Sequence, residues 1–215
     1  MKLITLLVIF SVCAAPAFGQ AYVLFSNRSP TLETPVVAPV YGVNPAAPQT
    51  RMTGNSPTDG GSTDYTGVPL LIGPTYTASL WAAPSGTGVV APTFELLGST
   101  AFRTIVATRG FWALTNGVLL VPFVTEPQAN VQFQVRVWNN DNGAITTWAA
   151  ALASGSEAGY SGTFTVLVRN DPNSTPVPLV GLTSFNLTVV PEPGVFAIGF
   201  VGALLAVAAS RLRRK

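Results

Sequence analysis

Val131-Gln132-Phe133-Gln134-Val135-Arg136-Val137-Trp138 is the stretch on which the fold turns. Val131, Phe133, Val135 and Val137 share one face, while Gln132, Gln134 and Arg136 share the other. This period of two is the mark of a β-strand with one side on a core and one toward water.

The same alternation recurs on either side of it. Phe164, Val166 and Val168 alternate with Thr163, Thr165 and Arg169; Phe185, Leu187 and Val189 alternate with Ser184, Asn186 and Thr188. Tyr76, Ala78 and Leu80 stand against Thr77, Ser79 and Trp81. Two more apolar runs, residues 36–41 and 118–124, contain Pro39 and Pro122, which suit a sheet edge or a strand end because proline cannot donate to a ladder. Turn-forming clusters separate the runs: Thr58-Asp59-Gly60-Gly61-Ser62, Pro84-Ser85-Gly86, Asn140-Asp141-Asn142-Gly143 and Asn170-Asp171-Pro172-Asn173. Short strands spaced in this way predict an all-β fold, an antiparallel β-sandwich. One short helix is expected within residues 145–153, where Ile-Thr-Thr-Trp-Ala-Ala-Ala-Leu-Ala is closed by Ser154-Gly155. Residues 42–75, rich in Pro, Gly, Ser and Thr, read as a long irregular connection, and there is no internal repeat.

Of the 215 residues, about 170 remain once the two hydrophobic ends are set aside, enough for one domain with its own core. The single cysteine, Cys13, lies inside the N-terminal apolar run, so the body has neither thiol nor disulfide. The net charge of +2 comes from the ends: Lys2, Arg211, Arg213, Arg214 and Lys215 lie there, opposed only by Glu192. Between residues 22 and 190 six arginines face eight carboxylates, about −2, with no lysine, which gives no footprint for a phosphate backbone and argues against nucleic acid as a partner.

Catalysis finds little material. Histidine is absent, as are interior cysteine and lysine, so a nucleophile has no ordinary partner base and the chain is expected not to be an enzyme. Glu95, Glu126, Asp141 and Glu157 could in principle pair as glycosidase carboxylates, but nothing in their spacing suggests it. The oxygen-rich stretches 139–143 and 59–64 offer calcium-type ligands without the twelve-residue loop spacing, and turn formation explains them first. No cofactor is expected. Trp81 and Trp138 fall on the face opposite the apolar rows of their strands, where a flat amphipathic ring can serve as a sugar platform or pack beneath a helix or loop.

The ends carry addresses. Met1-Lys2 followed by ten apolar residues, 3–12, makes a signal peptide over residues 1–19, too short to span a bilayer and closed by Ala17-Phe18-Gly19, with small residues at −3 and −1 for cleavage before Gln20. Gly19-Gln20-Ala21 is a weaker site that would start the mature chain at Tyr22. A buried N-terminal helix is the plain alternative; lipidation at Cys13 is disfavoured by Val12 before it. At the other end, Pro191-Glu192-Pro193 precedes an apolar segment, residues 194–210, and then Arg211, Arg213, Arg214 and Lys215. Seventeen helical residues reach about 25 Å, near the lower limit for a transmembrane helix, and the basic tail would stay cytoplasmic.

This tripartite end, residues 190–215, resembles the PEP-CTERM sorting signal of exported Gram-negative proteins. The resemblance implies an inner-membrane precursor whose Pro191, Glu192 and Pro193 are acted upon by an exosortase, a membrane-embedded transpeptidase-like protease, before the protein reaches the cell surface or is released. Residues 130–190 also resemble the later part of some PEP-CTERM proteins, through the strand ending in Trp138, the alanine-rich segment with Trp148, the strand over residues 164–168, and Pro178-Leu179-Val180-Gly181-Leu182-Thr183-Ser184-Phe185. That likeness brings no activity with it. For the body, residues 20–190, two functions stay open: a non-enzymatic surface or extracellular-matrix protein, or a carbohydrate-binding module of the exopolysaccharide matrix.

Overall fold

The alternating stretch forms the centre of the molecule. In a computed structural model, which describes residues 20–30, 34–85, 93–113, 117–171 and 174–191, the strands run β1 (Tyr22–Leu24), β2 (Arg28–Ser29), β3 (Val36–Val37), β4 (Val40–Tyr41), β5 (Tyr76–Pro84), β6 (Glu95–Ala101), β7 (Val118–Leu120), β8 (Gln128–Asn139), β9 (Glu157–Tyr160), β10 (Phe164–Arg169), β11 (Val177–Pro178), β12 (Phe185–Asn186) and β13 (Thr188–Val189). One helix, α1 (Trp148–Ala153), joins β8 to β9. It is shorter than the expected 145–153 because Thr147 is extended and caps it, its side chain accepting from the Ala150 N–H.

The twelve-residue β8 is paired along both edges. On one side β5 runs antiparallel for its whole length, Tyr76 opposite Asn139 and Pro84 opposite Val131, and β6 continues the sheet beyond it. On the other side β9 pairs with residues 136–138 and β10 with residues 128–133. Between them the register slips by one residue, from Arg136↔Tyr160 to Phe133↔Phe164, a bulge. Ser161 bridges the gap: its N–H donates to the Val135 carbonyl and its hydroxyl accepts the Val135 N–H at 2.9 Å. The buried backbone therefore loses no partner where the strand kinks.

A second sheet of β11, β1 and β7 lies apart from this one, and two-stranded pairs β2–β3 and β4–β12 complete the set. The large sheet is antiparallel throughout, but β1–β11 and β4–β12 are parallel, a departure from the purely antiparallel expectation. Pro39 separates β3 from β4 and β7 ends before Pro122, as their missing N–H groups require. The predicted single strand over residues 184–189 is instead split between two partners: β12 lies on β4 and β13 on β9. Its polar residues are not on a wet face. Asn186 is fully buried, accepting the Met52 N–H and donating to the Thr50 and Leu187 carbonyls, so its amide ties the irregular residues 42–75 to the crossover.

One core cluster takes Val23 and Phe25 from the small sheet's side, Val40 from β4, Trp112, Leu179 and Leu187 from the connections, and Leu80, Val131, Phe133, Val135, Val137 and Val168 from the large sheet. Each such side chain contributes roughly 1.5–3 kcal/mol on burial. Close approach fixes two glycines: a Cβ at Gly159 would lie 2.5 Å from the Asn186 carbonyl oxygen, and one at Gly98 would lie 2.7 Å from the Leu119 side chain.

Candidate functional site

The outward row of β8 begins the site. Gln134, Arg136 and Trp138 project from the sheet face opposite the core, and the β5 register sets Trp81 opposite Gln134 and Thr77 opposite Trp138. Arg136 is half-buried and lies over the Trp81 ring, 4.1 Å from its centroid, with Trp148 at 5.7 Å and Phe94 at 5.9 Å. Its Nε donates to Gln134 Oε1 at 2.7 Å. Burial lowers the guanidinium pKa from its ordinary value, a loss of hydration that three aromatic faces offset. The Trp81 indole N–H donates to the Ser79 hydroxyl, and that hydroxyl donates to the Arg136 carbonyl, so ring and cation are held by the same pair of strands.

The two sequence-predicted platform residues therefore meet different fates. Trp138 is 3% exposed; it lies beneath α1 in a small second core with Ala151 and Ala158, its indole N–H donating to the Ile145 carbonyl. It offers no open ring to a ligand. Trp81 is half-buried and one side of its ring carries Arg136, so the pair does not form a bare aromatic platform.

What the sequence did not point to is the continuation of this row past Trp148. Trp148 meets Trp138 at 6.3 Å and Tyr160 edge-on at 6.4 Å. Arg51, from the irregular connection, stacks over Tyr160 at 3.9 Å and donates Nη2 to the Tyr160 carbonyl at 3.1 Å. The result is a row of planar groups, Trp81, Arg136, Trp148, Tyr160 and Arg51, drawn from five separate segments. Arg51 and Tyr160, 109 positions apart, are brought together by pairing that sequence spacing cannot supply. Beside the row's end, Trp148, Leu152, Tyr160, Arg51, Val189 and Pro191 line a groove of about 380 Å³ with no carboxylate among its lining residues.

The row contains no carboxylate, imidazole or thiol. The four carboxylates considered for catalysis occupy separate places: Glu95 on β6, Glu126 before β8, Asp141 in the turn after it, and Glu157 at the start of β9, where it accepts the Tyr76 phenol at 3.0 Å. The 139–143 loop is a turn in its own right. Asp141 and Asn142 take positive φ, and the Asn140 side chain accepts from Gly143 N–H while donating to Pro74 O and Thr77 Oγ1. Among the described residues no three His, Cys, Asp or Glu side chains are grouped to hold a metal.

Of the processing residues, Gln20 is exposed and accepts the Tyr22 hydroxyl, and Pro191 is exposed at the end of the described fold. Ala17, Gly19, Glu192, Pro193, Arg211, Arg213, Arg214, Lys215 and the transmembrane helix expected over residues 194–210 lie outside the described residues. No described helix is long and apolar enough to cross a membrane. No protein-family model matches the chain, and neither a curated protein nor a solved structure matches it.

Proposed function

We propose that this chain is an exported, non-enzymatic surface or extracellular-matrix protein, held in the inner membrane as a precursor and processed at Pro191-Glu192-Pro193 by an exosortase-type protease. The observation that carries the proposal is the exposure of Pro191. β13, the last of the described strands, ends at Val189, and Pro191 two residues later is open to solvent, so the first residue of the motif lies outside the strand. A protease needs such an accessible, extended segment, and Pro191 and Pro193 favour extended backbone around Glu192. We read the body as a β-sandwich, a reading supported by the main core cluster, to which both larger sheets contribute.

The test separates motif from anchor. With Pro191, Glu192 and Pro193 replaced by alanine, the protein stays membrane-bound at full precursor length in a host with the matching exosortase, as judged by fractionation and intact mass. Replacing Arg211, Arg213, Arg214 and Lys215 by neutral residues removes the charge bias on the cytoplasmic side and weakens retention itself. Release and trimming of the triple-alanine protein at the wild-type rate would falsify the sorting proposal.

A second proposal is a carbohydrate-binding module of the exopolysaccharide matrix, and the row of planar groups on the outer face favours it. Its contact residues would be Trp81, Trp148 and Tyr160, not the Trp81–Trp138 pair, since Trp138 is closed off by α1. Glycan-array binding lost on Tyr160→Ala would support it; binding unchanged by that substitution would remove this site.

A further inference from the structure

The groove that ends the aromatic row is also walled by the last described residues before the proposed anchor, Val189 and Pro191 among them. If residues 194–210 span the bilayer, as the proposed anchor requires, only three residue steps separate Pro191 from the first residue of the span. An extended chain covers about 3.3–3.6 Å per residue, so Pro191 can stand no more than about 11 Å from that residue. The polar headgroup layer on each side of a hydrocarbon core is itself about 5–8 Å thick. The groove must then lie at, or within a few ångströms of, the lipid headgroups. No other described surface is constrained in this way.

Its chemistry fits that position. Tyr160 is 38% exposed and Leu152 36%, and Trp148 is half-buried beside them. Tryptophan and tyrosine are the side chains whose apolar ring and polar edge suit the membrane–water boundary. Arg51, exposed and stacked on Tyr160, brings a cation, and no carboxylate lines the groove to repel an anionic lipid. Glu157, the nearest carboxylate on β9, alternates to the opposite sheet face and accepts the Tyr76 phenol. The body as a whole carries a slight net negative charge, but this patch, with Arg51 and no carboxylate among its lining residues, is locally positive.

From this geometry we infer that the face made by Arg51, Trp148, Leu152 and Tyr160 docks on the anionic headgroup surface of the bilayer that anchors the precursor, and thereby holds Pro191 at the membrane for a membrane-embedded protease. The inference rests on the anchor proposed above. Docking, unlike tethering, gives the body one orientation, and removes the swinging that three extended residues would otherwise permit.

The experiment uses the full chain with Cys13→Ser, reconstituted in vesicles of phosphatidylcholine with phosphatidylglycerol or of phosphatidylcholine alone. A single cysteine replaces either Leu152 in the groove or Leu167, which is exposed on the same sheet face at the other end. By register, Leu167 lies opposite Asn130 and Tyr160 opposite Arg136, six strand residues or about 20 Å apart. An environment-sensitive fluorophore at each site is quenched by headgroup-labelled lipid. Docking predicts quenching at 152 well above that at 167 in the anionic vesicles. Arg51→Gln lowers the docked-to-undocked ratio about fivefold, the factor one cation contributes at an anionic surface. Both sites responding alike, or a signal at 152 indifferent to Arg51→Gln and to phosphatidylglycerol, means tethering alone and overturns docking while leaving the anchor intact. Loss of the chain from the vesicles in an alkaline wash overturns the anchor and docking together. A response at 152 to soluble exopolysaccharide but not to lipid overturns docking in favour of a sugar site.

Discussion

On one face of β8, Val131, Phe133, Val135 and Val137 are completely buried, while on the other Gln132, Gln134 and Arg136 stay half-exposed and only Trp138 is closed off. The inner row is stabilised by removal of apolar surface from water, a non-directional effect satisfied by any well-packed neighbour. The outer row depends on particular partners: Arg136 needs Trp81 beneath it and Trp148 beside it, and Trp138 needs α1. One strand thus shows that alternation specifies which side chains share a face, while the distant segments that cover that face decide whether it is a core, a cation–aromatic stack or a free surface.

The largest effect expected from breaking this contrast is on the inner row. Phe133→Ala leaves a cavity beside Phe164, 6.1 Å away between ring centres, and should cost about 3–5 kcal/mol in urea unfolding, against about 0.5 kcal/mol or less for Gln132→Ala directly next to it. Equal costs would mean that the two faces are not distinct.

Gly159→Ala comes next. The new methyl meets main-chain atoms, the Asn186 carbonyl at 2.5 Å and Leu187 Cα at 3.0 Å, which cannot swing aside as a side-chain end can. A loss of about 2 kcal/mol is expected, read from the same denaturation curves. Because β9 and the crossover would be pushed apart, the groove beside Tyr160 should widen, visible as faster fluorescence depolarisation of the local tryptophan, Trp148, in a variant retaining that tryptophan alone.

Ser161→Ala tests the bulge between the two halves of β8's partner strand. It leaves the buried Val135 N–H without an acceptor, at a cost of about 1–2 kcal/mol. Hydrogen exchange should speed up first at Val135; uniform acceleration across β8 would show that the hydroxyl is not a local substitute for a ladder bond.

How much of this was legible in the sequence follows from what alternation can say. It located the cores of β5, β8 and β10, whose partners repeat the same pattern over several residues. It failed at residues 184–189, where Asn186 looked solvent-facing but is buried by the chain crossing between β4 and β9, and its amide bonds reach residues 50 and 52. It was silent on β6, Glu95–Ala101, an edge strand with Leu96 53% exposed and no clean apolar row. At the site, the orientation of Trp81 and Trp138 was readable, but their coverings were not: Arg136 on Trp81 and α1 on Trp138 are set by tertiary contacts with no local signature. The processing residues were legible as motifs, since peptide recognition needs order along the chain and no fold.

A smaller effect separates Arg136 from its rings. Arg136→Met keeps most of the stem volume and removes the charge, so about 1 kcal/mol should be lost if the cation–aromatic contacts outweigh the cost of burying a guanidinium. A stability gain would show that desolvation wins on this face, and that the row is kept for something other than folding.

The smallest effect lies where β5's inner row meets solvent. Tyr76 is half-buried against Phe102, and burial first, then the charge of Glu157, pushes its phenol up to about 12. A phenol whose folded pKa exceeds its unfolded value of about 10 favours the folded state while it is protonated in both. That contribution is complete below about pH 10; the unfolded chain then ionises first, and the advantage is lost as pH rises toward the folded value. Burial also raises Tyr41 and Tyr65, so all three phenols act in the same direction, and with no histidine in the chain nothing comparable titrates near neutrality. Stability should therefore be flat from about pH 7 to 9 and fall above about pH 10. Solvent access to the half-buried Tyr76 screens its share of the effect, so its contribution to the fall is shallow. Tyr76→Phe cannot ionise: it should lose the bond to Glu157 and be slightly less stable than wild type at about pH 8, yet lose less on going to about pH 11. Identical alkaline slopes for the two proteins would place the ionisation elsewhere, and leave the inner row's rim as indifferent to pH as its centre.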